Sequence, residues 1–252
     1  QFEQAIGYFD RSLGLGQYNR QTKADALYWR GEAYYRLNRM EEAKRNFTDY
    51  LQLTQQTHNE MYALAHYNLG YIAFHQKDYT QAQNWFRKYI SLEKGENKTA
   101  LADAYNRIGD CYLDVRNFDE AKHYYSQAEA MNTPSGDYSF YQLALVSGLQ
   151  KDYSGKITLL NRLAGKYPAS PYAISALYEK GRSYVLMDNN QQAIASFKEL
   201  LAKYPESPVS RKAAAEIGLL YYQNEDYDQA INAYKQVVQK YPGSDEARLA
   251  MR

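Results

Sequence analysis

The sequence of 252 residues contains one cysteine, Cys111, and only six prolines and 14 glycines. A lone cysteine excludes an intrachain disulfide framework and any cysteine-cluster metal site. So little proline and glycine argues against a disordered or loop-rich chain. No apolar run approaches the roughly 20 residues needed to span a bilayer. Nor is there an excess of one charge. Lys and Arg number 30 against 29 Asp and Glu, and residues 1–131 carry 16 basic and 17 acidic residues. That balance excludes an overall field able to gather nucleic acid. No Gly-rich phosphate loop and no G-x-S-x-G elbow is present.

What the chain has in quantity is tyrosine, 28 of them, and repetition. Gly31, Gly70, Gly109, Gly181 and Gly218 each sit in a similar stretch, such as Ala65-His66-Tyr67-Asn68-Leu69-Gly70-Tyr71. A second stretch follows each one, with Ala43, Ala82, Ala121, Ala193 or Ala230 and an aromatic four residues later: Phe47, Phe86, Tyr125, Phe197 or Tyr234. Apolar positions recur at helical spacing within both stretches. Polar breaks such as Gln76-Lys77-Asp78 separate them. The repeat unit reads as helix, tight turn, antiparallel helix, and such hairpins bury their apolar faces only by stacking. About 14 helices and no strand are expected.

Asp226-Tyr227-Asp228-Gln229-Ala230-Ile231-Asn232-Ala233-Tyr234 resembles the second-helix signature of tetratricopeptide repeats. The first-helix glycines, with tyrosine three residues on, match too, so the resemblance covers essentially the whole chain. It implies an all-α, right-handed α-α superhelix of about six to seven hairpins, in which Gly31 and Ala43 let paired helices approach and Phe47 fills space between neighbouring hairpins. The units here run 35–39 residues against the family's ~34. Residues 1–131 read as N-terminal repeats, 132–136 as an inter-repeat loop and 137–252 as C-terminal repeats. Residue 1 opens on a second helix and the chain stops on a first one, which reads as a piece of a longer array.

The unit from Asp137 to Lys166 departs most. Ala144 takes the glycine place, Ser147 the tyrosine place and Lys156 the alanine place, and Gly148 and Gly155 are added. Two readings stay open, a degenerate repeat beside an ordinary loop and a hinge over residues 132–156. Farther on, Lys166-Tyr167-Pro168-Ala169-Ser170, Lys203-Tyr204-Pro205-Glu206-Ser207 and Lys240-Tyr241-Pro242-Gly243-Ser244 join the repeats. Proline ends one helix there, and the serine offers an N-cap to the next. These joints resemble repeats of bacterial envelope proteins, the lipoprotein of the β-barrel assembly machinery and the Tol–Pal-associated coordinator. They point to the periplasm or outer membrane, with the cytoplasm as alternative.

Chemistry is sparse. His66 stands where other repeats have Leu27 or Leu177 and reads as packing; the nine-residue spacing to His75 takes the pair off one helix face. Cys111 reads as a buried, inert thiol. Glu41-Glu42 and Asp119-Glu120 sit at helix starts, where acidic groups favour the positive helix end. Asn46-Phe47-Thr48 is a glycosylation sequon only by spelling, because Phe47 must be buried. No catalytic residue, metal ligand or cofactor is assigned, and the expectation is a non-catalytic scaffold for a protein or peptide partner. The resemblance implies a concave groove lined by first helices, here Tyr28, Tyr35, Tyr67, Tyr71, Phe74, Tyr141, Tyr178 and Tyr222. The alternative is that these rings only fill the groove; a glycan-binding groove and a structural segment of a larger envelope protein also stay open. The Lys/Asn carboxylate clamp of chaperone-binding members is not expected, since its places carry Tyr28, Glu32, Tyr67, Tyr71, Asn106 and Asp110.

Overall fold

A computed structural model describes residues 1–15 and 19–252. Among the described residues there are 14 helices and no strand. They fall into two compact units, residues 1–135 and 136–252. The first holds α1 (Phe2–Gly14), α2 (Arg20–Arg36), α3 (Met40–Thr54), α4 (Tyr62–His75), α5 (Tyr79–Leu92), α6 (Lys98–Asp114) and α7 (Phe118–Ala130). The second holds α8 (Gly136–Leu149), α9 (Tyr153–Lys166), α10 (Ala173–Leu186), α11 (Asn190–Lys203), α12 (Pro208–Gln223), α13 (Tyr227–Lys240) and α14 (Asp245–Ala250). Helices pair in order, α2 with α3 through to α12 with α13, and within each unit the second helix of one hairpin packs on the first helix of the next. This is the expected solenoid of stacked hairpins.

The glycine–aromatic pair closes each hairpin. A Cβ built on Gly70 would lie 2.7 Å from Phe86 Cε1, one on Gly109 2.7 Å from Tyr125 and one on Gly181 2.4 Å from Phe197. Each ring therefore lies directly against its own hairpin's glycine. Phe47, Phe86, Tyr125 and Phe197 are fully buried, as are Ala43, Ala82, Ala121 and Ala193. Phe47 also joins a cluster with Ala65 and Leu69 of the next hairpin, so it serves both interfaces.

The turn inside each hairpin is equally regular. Asn38, Lys77, Arg116, Lys151, Asp188 and Glu225 all have φ between 57° and 63°. Each stands seven residues after the glycine position of its repeat. A left-handed residue lets the first helix close its last carbonyls, as when Lys77 N donates to Phe74 O and Asp78 N to Ala73 O. The next residue then caps the second helix. Asp78, Asn117, Asp152, Asn189 and Asp226 each accept the N–H three residues on, satisfying a donor the helix cannot.

One joint differs from expectation. Ser207 and Ser244 cap α12 and α14, but α10 starts after Tyr172 and receives no side-chain cap. Ser170 stands two residues before that N-cap position: its hydroxyl donates to Asp137 Oδ2 at 2.7 Å and accepts from Tyr172 N, as Ser207 accepts from Val209 N. The irregular hairpin α8/α9 has its own packing logic. Lys156 is buried at the alanine place, and a Cβ on Gly148 would lie 2.9 Å from its Cδ. Gly148 thus makes the channel in which the lysine stem runs. Its ammonium emerges 2.6 Å from Glu179 Oε2 of α10.

Candidate functional site

The eight aromatic residues expected in a groove occupy three columns on the first helices. Tyr28, Tyr67, Tyr141 and Tyr178 stand three residues before the glycine position of their repeats; Tyr71 stands one after it, and Tyr35, Phe74 and Tyr222 four after. The columns behave differently.

The first column turns inward. Tyr28 is 3% exposed, packs edge-on to Phe47 and Tyr50, and accepts a hydrogen bond from Asn68 Nδ2 at 2.9 Å. It belongs to the core and offers a partner nothing, contrary to the sequence reading. The physical reason is that a ring at this position lies over its own hairpin's aromatic. Tyr67 and Tyr178 do the same with Phe86 and Phe197, at 5.9 and 5.8 Å between ring centres. Their hydroxyls reach the first helix of the next hairpin: Tyr67 donates to Asp103 at 2.7 Å and Tyr178 to Glu216 at 2.6 Å. Tyr141 stacks on Tyr172 at 5.2 Å. These tyrosines are ties between successive hairpins before they are anything else.

The other two columns are more open. In the first unit, Tyr71 also donates to Asp103 Oδ2 and packs edge-on to Tyr67 at 5.1 Å. Burial, reinforced by the Asp103 charge, holds the Tyr67 and Tyr71 hydroxyls protonated well above the usual phenol range. They therefore remain donors at any physiological pH. Tyr35 is half-buried and its hydroxyl lies 2.9 Å from His75 Nε2. Phe74 is half-buried under the Arg107 guanidinium, 5.9 Å from its ring centre. Arg107 in turn meets Asp110 at 3.1 Å and Asp103 at 3.8 Å. The structure thus gathers Tyr35, Tyr67, Tyr71 and Phe74 with His75, Asp103 and Arg107 on adjoining first helices α2, α4 and α6.

In the second unit the named residues are more scattered. Tyr178 lies beside Glu216 and Arg182, which approach each other to 3.6 Å. Burial first, and then the bond to Glu216, push its hydroxyl up to about 12. Tyr222 is 57% exposed and leans edge-on against Tyr227 of α13, near the hairpin turn.

Asp103, Arg107 and Asp110 were missed as site residues, although their i, i+4, i+7 spacing puts all three on one helix face. Cys111 is fully buried, and burial pushes its thiol up to about 12. His66 is buried, with Nδ1 2.8 Å from Tyr62 O and its ring against Trp85. Among the described residues no group of three metal-ligating side chains converges, and no helix is long and apolar enough to cross a membrane.

Known proteins place this architecture. A family model described as tetratricopeptide repeat matches residues 1–56, 106–171 and 178–249, and another of the same description matches residues 61–133. The C-terminal part of a TPR repeat-containing protein from Cytophaga hutchinsonii is similar over 100% of this chain and 95% of its own, with a TM-score of 0.78 at 18% identity. PilF of Pseudomonas aeruginosa gives a TM-score of 0.59 at 19% identity over 92% and 98% of the two chains. YrrB, described as a TPR protein with an unusual peptide-binding site, gives 0.57 at 18% over 81% and 97%. A Guillardia theta protein described as uncharacterized protein ycf37 is 40% identical over 62 residues, which are 25% of this chain and 35% of that relative. By the repeat matched along most of its length, and by the stacked hairpins that repeat builds, the chain belongs to the tetratricopeptide repeat family.

Proposed function

We propose that the first-helix face of the first unit, running from Tyr35 across Tyr71 and Phe74 to Arg107, binds an extended segment of a protein partner. The observation that carries this reading is the pinning of the rings. Tyr67 and Tyr71 both donate to Asp103, so their side chains are ordered before any partner arrives. A surface already ordered loses little entropy on binding, and aromatic and arginine side chains supply most hot-spot energy. With the hydroxyls occupied, ring edges, the Phe74 face and the Arg107 guanidinium are what remain to be recognised. YrrB, similar in fold, is described as peptide-binding, which supports the class of ligand and no particular sequence. In the second unit, Tyr178, Arg182 and Glu216 form a smaller counterpart. The Tyr-Pro-x-Ser joints favour a bacterial envelope setting for this scaffold.

The test is a displayed-peptide selection against the chain, followed by calorimetric titration of a selected peptide. Tyr35→Ala and Phe74→Ala should each weaken binding tenfold or more, about 1.4 kcal/mol or above, while circular dichroism stays unchanged. Thr48→Ala, on the exposed side of α3, should bind as wild type. Equal affinity for all three variants discards this face.

A further inference from the structure

A cavity of about 320 Å³ lies in the second unit between α11, α12 and α13, on the side of the second helices. Its floor is apolar, with Ala214, Ile217, Ala233 and Val237, while Lys198 and Lys240 stand at its rim; no carboxylate lines it. The sequence explains why it is there. The positions that bound it recur in every hairpin, four residues before the first-helix glycine place and three after the second-helix alanine place; they hold Leu27 and Asn46 in α2/α3, Phe140 and Leu159 in α8/α9, and Leu177 and Ser196 in α10/α11. In hairpin α4/α5 they hold His66 and Trp85, with rings 5.7 Å apart. In α6/α7 they hold Tyr105 and Tyr124, 6.2 Å apart. In α12/α13 they hold Ala214 and Ala233, the smallest pair of the six, and the space a ring pair fills in α4/α5 and α6/α7 is left.

The surroundings of the missing rings are retained. In the first unit, Arg87 of α5 lies 5.3 Å over the Tyr124 ring and hydrogen-bonds the Tyr112 hydroxyl. Lys198 occupies the same position on α11 and bonds the hydroxyl of Tyr221, the counterpart of Tyr112, at 3.0 Å. A cation and its supporting tyrosine are thus in place where the ring they would frame is absent. A cation over an aromatic face is attracted by the ring quadrupole, and a 150 Å³ apolar cavity already holds benzene. With two lysines and no acid among the lining residues, the opening favours a ligand whose ring is flanked by negative charge.

We propose that this cavity is a binding site for an aromatic side chain carried by an acidic peptide segment of a partner. The site is separate from the first-helix face and does not depend on it. It is tested with an acetylated, amidated Asp-Glu-Tyr-Asp-Glu pentapeptide, the same peptide with alanine for tyrosine, and free 4-hydroxyphenylacetate, titrated into ¹⁵N-labelled chain. The tyrosine peptide should move amide signals of α12 and α13, and the alanine peptide should bind at least tenfold more weakly. Lys198→Gln should weaken the tyrosine peptide fivefold or more. Ala233→Tyr, which supplies the ring from within, should abolish binding and slow amide exchange in α12 and α13; Ala233→Leu serves if that variant does not fold. Equal binding of the tyrosine and alanine peptides, or undiminished binding by the Ala233 variants, overturns the site. Binding of 4-hydroxyphenylacetate without binding of the peptide overturns the peptide as its source.

Discussion

Replacing the hairpin glycines by alanine separates two opposed effects whose difference the structure grades. In a helix interior, Gly→Ala gains about 1 kcal/mol from backbone entropy and solvation. Overpacking a tight core costs roughly 1–3 kcal/mol. At Gly31 the added Cβ stands 3.1 Å from Phe47, so that ring, though equally buried, need give only a few tenths of an ångström. At Gly70 three atoms of Phe86 lie within 2.7–2.9 Å, and that ring is fully buried with no room to retreat. Gly31→Ala should therefore be close to neutral and Gly70→Ala destabilising, with about 1–2 kcal/mol between them. Gly7 of α1 has nothing within 4 Å of its added Cβ, and Gly7→Ala should keep most of the propensity gain. Two units need not unfold together, so a single melting curve is not a safe readout. Amide exchange within α4 and α5, read beside urea denaturation, isolates the first unit. In a Phe86→Leu background the penalty of Gly70→Ala should shrink by about 1 kcal/mol or more, the coupling expected of two residues in contact. Equal effects of the Gly31 and Gly70 variants, or additivity with Phe86→Leu, would refute the ring-on-glycine account.

Ala121→Leu, at a fully buried position, should cost roughly 1–3 kcal/mol; an unchanged denaturation midpoint for the first unit would show the repeat register to be wrong. Burial lowers the pKa of His66, with Lys88 and His58 adding to the effect against the Tyr62 carbonyl bond. The unfolded chain, titrating near 6.5, then takes up a proton the folded chain refuses. Stability of the first unit should fall as pH drops below about 6.5 and level off once pH is under the folded value; His66→Leu should flatten that part of the pH profile. Cys111 should resist thiol reagents at pH 8 in the native state and react at once in denaturant, because both burial and its raised pKa withhold the thiolate. Arg116→Gly, at a turn with φ of 59°, should stabilise by about 1 kcal/mol by removing the left-handed penalty; a lower midpoint would contradict the turn geometry.

The hairpin frame was readable because its key contact is steric and recurs: a glycine, and in the following helix an alanine with an aromatic four residues on. The turns were readable only as polar breaks. Asn38, Lys77, Arg116, Lys151, Asp188 and Glu225 share a left-handed backbone but no chemical type, so nothing in the residues announces it. The proposed binding face was half legible. Helical spacing correctly set Tyr67, Tyr71 and Phe74 on one helix, yet it could not tell Tyr28 from Tyr35. The difference depends on what lies above each ring, Phe47 and Tyr50 for Tyr28 and the rim of the next first helix for Tyr35. Asp103 and Arg107 were passed over because a charged helix face ordinarily needs no explanation beyond water. Ser170 accepts the amide two residues on, as Ser207 does, but α10 begins only after Tyr172, so the serine stands outside the N-cap position.

The tyrosine-to-carboxylate ties bear on how such an array comes apart. Each tie joins one hairpin to its immediate neighbour and contributes nothing to a hairpin standing alone. In a nearest-neighbour description, they enter the interface term and not the intrinsic term. Weakening one, as in Tyr178→Phe, lowers the sharpness of unfolding within its unit more than it lowers the stability of either hairpin. The first visible sign would be fraying that stops at the cut tie, with α12 and α13 exchanging their amides ahead of α10 and α11.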